Sequence, residues 1–167
     1  MKKTIYLAGG CFWGVDAYFN QLKGILETEA GYANGNSVKT TYEKLKITDH
    51  AETVKLIYDD EKISLSDILE YFYYIIDPFS INKQGNDIGR QYRSGIYSKD
   101  KKDLEEARNF LEKKQREENQ KIQVEIEELK HYLKAEEYHQ DYLKKHPNGY
   151  CHINLMDLPD LSKLQEN

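Results

Sequence analysis

The stretch Thr4-Ile5-Tyr6-Leu7-Ala8-Gly9-Gly10-Cys11-Phe12-Trp13-Gly14 sets how the chain begins to fold. Thr4 to Ala8 is a short apolar run that reads as a strand, and the glycine pair after it interrupts the extension. From Phe12 to Leu22 the side chains Val15, Tyr18, Phe19 and Leu22 recur at helical spacing. The unit is strand, turn, helix, with Cys11 at or near the helix N-cap.

Outward from that unit, Ile25 to Tyr32 reads as a second strand closed by the turn signal Asn34-Gly35. Glu52 to Tyr58 alternates, with Glu52, Val54, Leu56 and Tyr58 on one face and Thr53, Lys55 and Ile57 on the other. Ser64 stands three residues before Asp67, so its hydroxyl can cap an apolar helix from Ser66 to Ile76 that Pro78 terminates. A loop rich in Gly, Asn and Asp leads to a short strand, Gly95 to Ser98. The helix Asp100 to Glu118 follows, with Leu104, Ala107 and Leu111 as its narrow apolar stripe. Ile122 to Ile126 alternates as a last strand. Ala135 to Lys145 is expected as a closing helix, stopped by Pro147 and Gly149. Strands interleaved with helices and no Pro-, Gly- or Ser-rich linker make one layered α/β or α+β sandwich.

The chain has 167 residues, 29 acidic and 24 basic, so its formal charge is −5, and 39% of its residues are hydrophobic. That is one domain's length, able to bury about 70% of the surface of the unfolded chain. The acidic balance excludes a sequence-independent grip on nucleic acid, which requires clustered Lys and Arg. No apolar run reaches the roughly 18 to 20 residues that span a bilayer. Met1-Lys2-Lys3 and the short run after it are too brief for a secretion signal, and the expected location is cytoplasmic. Two cysteines near opposite ends, Cys11 and Cys151, cannot supply four clustered ligands to a structural zinc. In a reducing compartment they are either inert or they cycle.

At a helix N-cap, unpaired backbone N–H groups and the positive end of the helix dipole favour a thiolate on Cys11. That contribution is only about 0.3 to 1 kcal/mol, so strong activation needs other neighbours. A free cysteine is otherwise commonly a small buried hydrophobe. Glu52 opens the apolar face of its strand, where low polarity disfavours the charged carboxylate and keeps a proton available near neutral pH.

GGCFWG at 9–14 is joined by Tyr32-Ala33-Asn34-Gly35, His50-Ala51-Glu52, Gln84-Gly85-Asn86-Asp87, Gln91-Tyr92-Arg93-Ser94-Gly95, Ala135 to Gln140 and Gly149-Tyr150-Cys151. With these motifs in order from about residue 4 to Cys151, the chain closely resembles the A-type peptide-methionine (S)-S-oxide reductases. The resemblance implies an α+β fold, a two-layer ferredoxin-like plait with a mixed sheet and a flexible C-terminal tail. The catalytic domain is expected over 1–149 and the tail carrying the recycling cysteine over 150–167.

For the chemistry, the resemblance implies that Cys11 attacks the sulfoxide sulfur, releasing methionine and leaving a sulfenic acid. Phe12 and Trp13 would form the pocket for the substrate methyl group, and Glu52 would protonate the oxygen. Tyr42, Asp87 and Tyr92 would hold that oxygen by hydrogen bonds. Cys151 would close a disulfide with Cys11 that a thioredoxin-like partner reduces. The substrate the resemblance implies is methionine sulfoxide, free or in proteins; no cofactor and no metal is implied, and a monomer is expected. Two departures stand out. Asp49 replaces the glycine that usually precedes His-Ala-Glu, adding a charge near Glu52, and Val38-Lys39-Thr40-Thr41 replaces the usual approach to Tyr42.

Other readings of the same residues are a cysteine hydrolase with His50 as base and a redox sensor cycling the same two sulfurs. A di-metal site at Glu128-x-x-His131 and Glu136-x-x-His139 would further need a glutamate from each of two other helices. His131, His146 and His152 carry no signal of their own. The mixed Glu and Lys of the 99–121 segment read as a solvated face.

Overall fold

The computed structural model describes residues 1–159. In chain order its regular elements are β1 (Lys2–Gly9), α1 (Phe12–Asn20), β2 (Ile25–Ala33), α2 (Leu45–Thr48), β3 (Ala51–Asp59) and α3 (Leu65–Ile75). A two-residue ribbon follows, β4 (Lys83–Gln84) with β5 (Asp87–Ile88), then β6 (Ser94–Ser98), α4 (Lys101–Arg116), β7 (Glu125–Glu128), β8 (Leu133–Lys134) and α5 (Tyr142–Lys145).

Six strands form one sheet in the order β7-β6-β1-β3-β2-β8, antiparallel throughout except for the parallel pair β6 and β7. The run β1-α1-β2-β3-α3-β6 with spatial order β6-β1-β3-β2 is the ferredoxin-like plait, and the sheet is mixed as expected. Strand alternation separates two faces. Ile5 and Leu7 of β1 and Val54, Leu56 and Tyr58 of β3 pack with Val15, Tyr18 and Phe19 of α1, Ile68, Leu69 and Phe72 of α3, and Ala107 and Leu111 of α4. The opposite face carries a smaller cluster around Ala8, Ala33, Ala51 and Tyr97, covered by Tyr6, Tyr132 and Leu129. All three long helices therefore lie on one side, as a two-layer sandwich requires.

Ser64 caps α3 as its spacing implies. Its hydroxyl accepts from the Asp67 N–H at 3.0 Å, and Asp67 Oδ2 accepts from the Ser64 N–H at 3.3 Å. Two expectations are corrected. The strand expected over Ile122 to Ile126 begins only at Glu125, because the Ile122 N–H is taken by Gln115 Oε1 and the Gln123 N–H by the Pro78 carbonyl. The helix expected over Ala135 to Lys145 is instead a 3-10 turn at Glu137–His139 and the short α5. Buried Gln140 breaks it: its amide accepts from the Ala30 N–H and donates to the carbonyls of Ala30 and Ala135, and Asp141 then turns left-handed at φ 51°.

The described part of the C-terminal tail has no regular element and lies back across α1. Tyr18 donates to the Asp157 carbonyl at 3.2 Å, Gln21 to the Leu155 carbonyl at 2.8 Å, and Tyr74 to Asp157 Oδ2 at 2.9 Å. Residues 160–167 of the expected tail lie outside the described residues. Among the described residues no helix is long and apolar enough to cross a membrane.

Candidate active site

Cys11 is the N-cap of α1, with φ −55° and ψ 123°, and is 7% exposed. Gly10, at φ 87°, makes the turn from β1, and a Cβ there would stand 2.6 Å from Gln84 Cβ. The helix start contributes the Trp13 N–H, which hydrogen-bonds the sulfur and favours the thiolate. Burial outweighs it. Desolvation first, then the charges of Glu52 and Asp87, push the Cys11 thiol well above its ordinary value. The N-cap position therefore does not yield a resting thiolate: the sulfur is held as a protonated thiol.

β3 delivers Glu52 to the same point. Its carboxyl is 1% exposed, and Oε1 accepts the N–H of Phe12, the residue after Cys11, at 3.2 Å. Oε2 is buried with no hydrogen-bond partner among the described residues. Desolvation, reinforced by the charge of Asp87 and opposed by the Phe12 N–H, pushes Glu52 up from 4.5 to about 8. At neutral pH it therefore carries a proton, and its free oxygen can donate to an incoming acceptor.

Asp87, Tyr92 and Tyr42 reach the same point from separate loops. Asp87 begins the second strand of the β4–β5 ribbon, whose two-residue turn uses Gly85 at φ 59°. The base of that ribbon is fixed by buried Gln84, which bonds both backbone groups of Asp77 and the Ser94 hydroxyl. Asp87 Oδ2 is buried and unpartnered among the described residues, while the carboxylate accepts a hydrogen bond from Tyr150. Tyr92 ends the 3-10 turn Arg90–Tyr92 and hydrogen-bonds Tyr42. Burial raises both phenols, as does the charge of Glu52, so they remain donors at physiological pH. Cys11, Glu52, Tyr42, Asp87 and Tyr92 thus lie within electrostatic reach of one another. With its altered approach Tyr42 still reaches this cluster: its hydroxyl hydrogen-bonds Tyr92, and its backbone N–H is held by Glu136 Oε2 at 3.2 Å.

Asp49 does not disturb Glu52. It sits left-handed at φ 62°, where glycine is the easier residue, and Arg90 binds it through two contacts of 2.6 and 2.9 Å. Arg93 lies 3.8 Å from the same carboxylate, and together the two guanidinium groups hold Asp49 below its ordinary value. The added charge is neutralised locally.

Phe12 and Trp13 form one wall with Tyr32, His139 and Tyr142, whose place in the site the sequence alone did not assign. Phe12 is 1% exposed, with its ring 5.7 Å from Tyr32 and 5.0 Å from His139. Trp13 stacks on Tyr142 at 3.7 Å and 10°, and its indole N–H donates to His139 Nδ1 at 3.0 Å. Tyr42 approaches the same imidazole at 4.7 Å. Glu136 accepts from Tyr32 Oη at 2.7 Å as well as from the Tyr42 N–H. The second Glu-x-x-His pair is thus engaged in aligning the aromatic wall. Its spacing was visible in the sequence, but its partners were not.

His50 is buried, with Nε2 donating to the His131 carbonyl at 3.2 Å and Nδ1 bonded to Thr48 Oγ1 at 2.9 Å. Both ring nitrogens are engaged with other partners, which leaves neither to serve as the thiol's base. Cys151 lies beside the site as a free thiol, its Sγ donating to the Ile153 carbonyl at 3.1 Å. A Cβ on Gly14 would meet that sulfur at 3.0 Å, so the bare first turn of α1 is what admits it.

A family model described as "Peptide methionine sulfoxide reductase" matches residues 3–166. The curated protein "Peptide methionine sulfoxide reductase MsrA" of Ureaplasma urealyticum serovar 10 is 53% identical over 157 residues, 93% of this chain and 95% of that one. Mxr1 from Saccharomyces cerevisiae in reduced form superposes with a TM-score of 0.86 at 38% identity, over 92% of this chain and 91% of that one. The yeast protein in complex with Trx2 matches with a TM-score of 0.61 at 27% identity, over 84% of each chain.

Proposed function

Because the chain belongs to the peptide methionine sulfoxide reductase family and reduces methionine sulfoxide, we propose that it acts on the S epimer, with Cys11 as nucleophile, Glu52 as proton donor and Cys151 as recycling thiol. Glu52 carries the reading: a carboxyl 1% exposed and raised to about 8, with one oxygen unpartnered among the described residues and the other accepting the N–H of Phe12, the residue after a buried cysteine.

The substrate methyl group packs against Phe12 and Trp13, and the sulfoxide oxygen lies toward Glu52 Oε2. Tyr42, Tyr92 and Asp87 hold that oxygen. The Cys11 sulfur bonds to the sulfoxide sulfur while Glu52 protonates the oxygen, and the proton lost by the thiol restores Glu52. The protonated oxygen then passes as hydroxyl from the substrate sulfur to the Cys11 sulfur as the new S–S bond and the substrate S–O bond break, leaving Cys11 as the sulfenic acid and methionine two electrons reduced. The Cys151 thiol then displaces water to form the Cys11–Cys151 disulfide. A thioredoxin-like dithiol reduces it, a role supported by the yeast relative's complex with Trx2. The substrate is taken free or within proteins, the enzyme is a cytoplasmic monomer, and residues 1–149 form the catalytic domain with 150–167 as recycling tail.

The test supplies purified protein with separate S and R epimers of methionine sulfoxide and dithiothreitol, beside Cys11→Ser, and measures methionine. Release from the S epimer alone, abolished in the variant, is expected. Release from the R epimer, or from neither, overturns the assignment.

A further inference from the structure

The residue after Cys151 occupies a slot made by missing side chains. The imidazole of His152 enters beside the first turn of α1, where a Cβ on Gly10 would stand 3.0 Å from its Nε2 and one on Gly14 would stand 3.6 Å from its Cε1. On the third side its own Cβ lies 3.4 Å from where a Gly85 side chain would begin. Three glycines from α1, its N-terminal turn and the β4–β5 ribbon therefore outline a ring-sized recess that the His152 imidazole fills, at the turn that carries Cys11.

Within that recess Nε2 donates to the Gly9 carbonyl at 3.0 Å, a contact across 143 positions of sequence. Gly9 is two residues before Cys11, and His152 is one residue after Cys151, so the bond pins the two cysteine-bearing segments to each other. Nδ1 is buried with no partner among the described residues. A surface strap chosen for stability alone would not bury an unpaired ring nitrogen, which costs about 1–3 kcal/mol. On the other side of Cys151, Ile153 is 7% exposed and joins the main core, fixing the segment from both directions.

We propose that His152 is a positioning residue for the recycling step: its bond to the Gly9 carbonyl registers Cys151 against the bare first turn of α1, so that Sγ meets the sulfenic acid on Cys11 as soon as it forms. The proposal rests on the assignment of Cys151 as recycling thiol. The step it speeds is Cys11–SOH plus Cys151–SH giving the disulfide and water, with no further reactant. His152 touches no substrate, so the first half-reaction does not depend on it.

The experiment is a single turnover of the full chain with the S epimer and no added reductant. Methionine is measured by chromatography and disulfide formation by loss of free thiols. His152→Ala is expected to release methionine within about twofold of the parent rate and to form the disulfide roughly tenfold more slowly, with the waiting sulfenic acid trapped by dimedone. His152→Gln, whose amide can donate to the same carbonyl, is expected to restore most of the disulfide rate, which a generally loosened tail would not allow. Disulfide formation at the parent rate in His152→Ala overturns the proposal, as does equal slowing of methionine release, or failure of the glutamine to restore. Absence of methionine release from the parent protein would instead sink the assignment of the reaction.

Discussion

Replacing Glu52 by Gln removes a titration from the folded state without emptying the space the side chain fills. In the parent protein the carboxyl titrates at about 8 when folded against 4.5 when free, so between those values the native state holds a proton that the unfolded chain has released. Stability therefore falls as pH rises from 4.5 to about 8 and levels off above it. The limit of the loss is the shift times 1.36 kcal/mol per unit, about 5 kcal/mol, reduced by whatever relaxation lets water reach the ionised group. His50, His139 and His152, all pushed down by burial, act in the opposite sense near neutrality, but they cancel when the two proteins are compared. The assay is urea unfolding of both proteins from pH 5 to pH 8.5. Glu52→Gln is expected to lose less stability across that range by several kcal/mol, and to reduce sulfoxide slowly throughout for want of a proton. In the parent, kcat/KM should decline about tenfold per pH unit above the folded pKa as the donor is lost. Parallel stability profiles for the two proteins would refute the claim that Glu52 is folded in its protonated form.

Two further outcomes follow from the same geometry. Arg90 is 55% exposed while Arg93 is 6% exposed and also serves Glu125 and the carbonyls of Asn34 and Arg90. Arg90→Ala should thus cost about 1 kcal/mol or less and Arg93→Ala about 2–4 kcal/mol in denaturant unfolding, and equal losses would contradict the assignment. Trp13→Phe removes the donor to His139 Nδ1 and part of the stack on Tyr142. A higher KM for the sulfoxide with a smaller change in kcat is expected from steady-state kinetics, and an unchanged KM would remove Trp13 from the substrate wall.

Much of this was legible in the sequence where short-range rules decide. The run into Cys11, the alternation that buries Glu52, and the Ser64–Asp67 cap depend on neighbours a few residues apart. What was not legible depends on partners far along the chain. Ala135 to Lys145 has helical spacing, yet Gln140 prefers Ala30, 110 positions away. The sequence shows Asp49 as a stray charge and cannot show Arg90 folded onto it from 41 positions on. The helix dipole at Cys11 was read with the right sign, but desolvation of a nearly buried sulfur is the larger effect, and burial is a property of the assembled fold. The aromatic wall falls in the same class, since Glu136 and His139 acquire their meaning only from Tyr32, Trp13 and Tyr42.

The bare first turn of α1 bears on how the protein survives its own chemistry. A sulfenic acid is one step from sulfinic acid, which ordinary thiols do not reverse. A tethered thiol competes with external oxidant at an effective concentration in the millimolar range even on a loose linker, and Cys151 is seated against Gly14 rather than loose. If Cys151 is the recycling thiol, capture from within should outpace capture by dilute peroxide, and a side chain at position 14 would surrender that lead. Under the proposed recycling scheme, the lifetime of the enzyme under oxidising conditions, counted in turnovers before inactivation, would then depend on Gly14, a position that takes no part in the reaction itself.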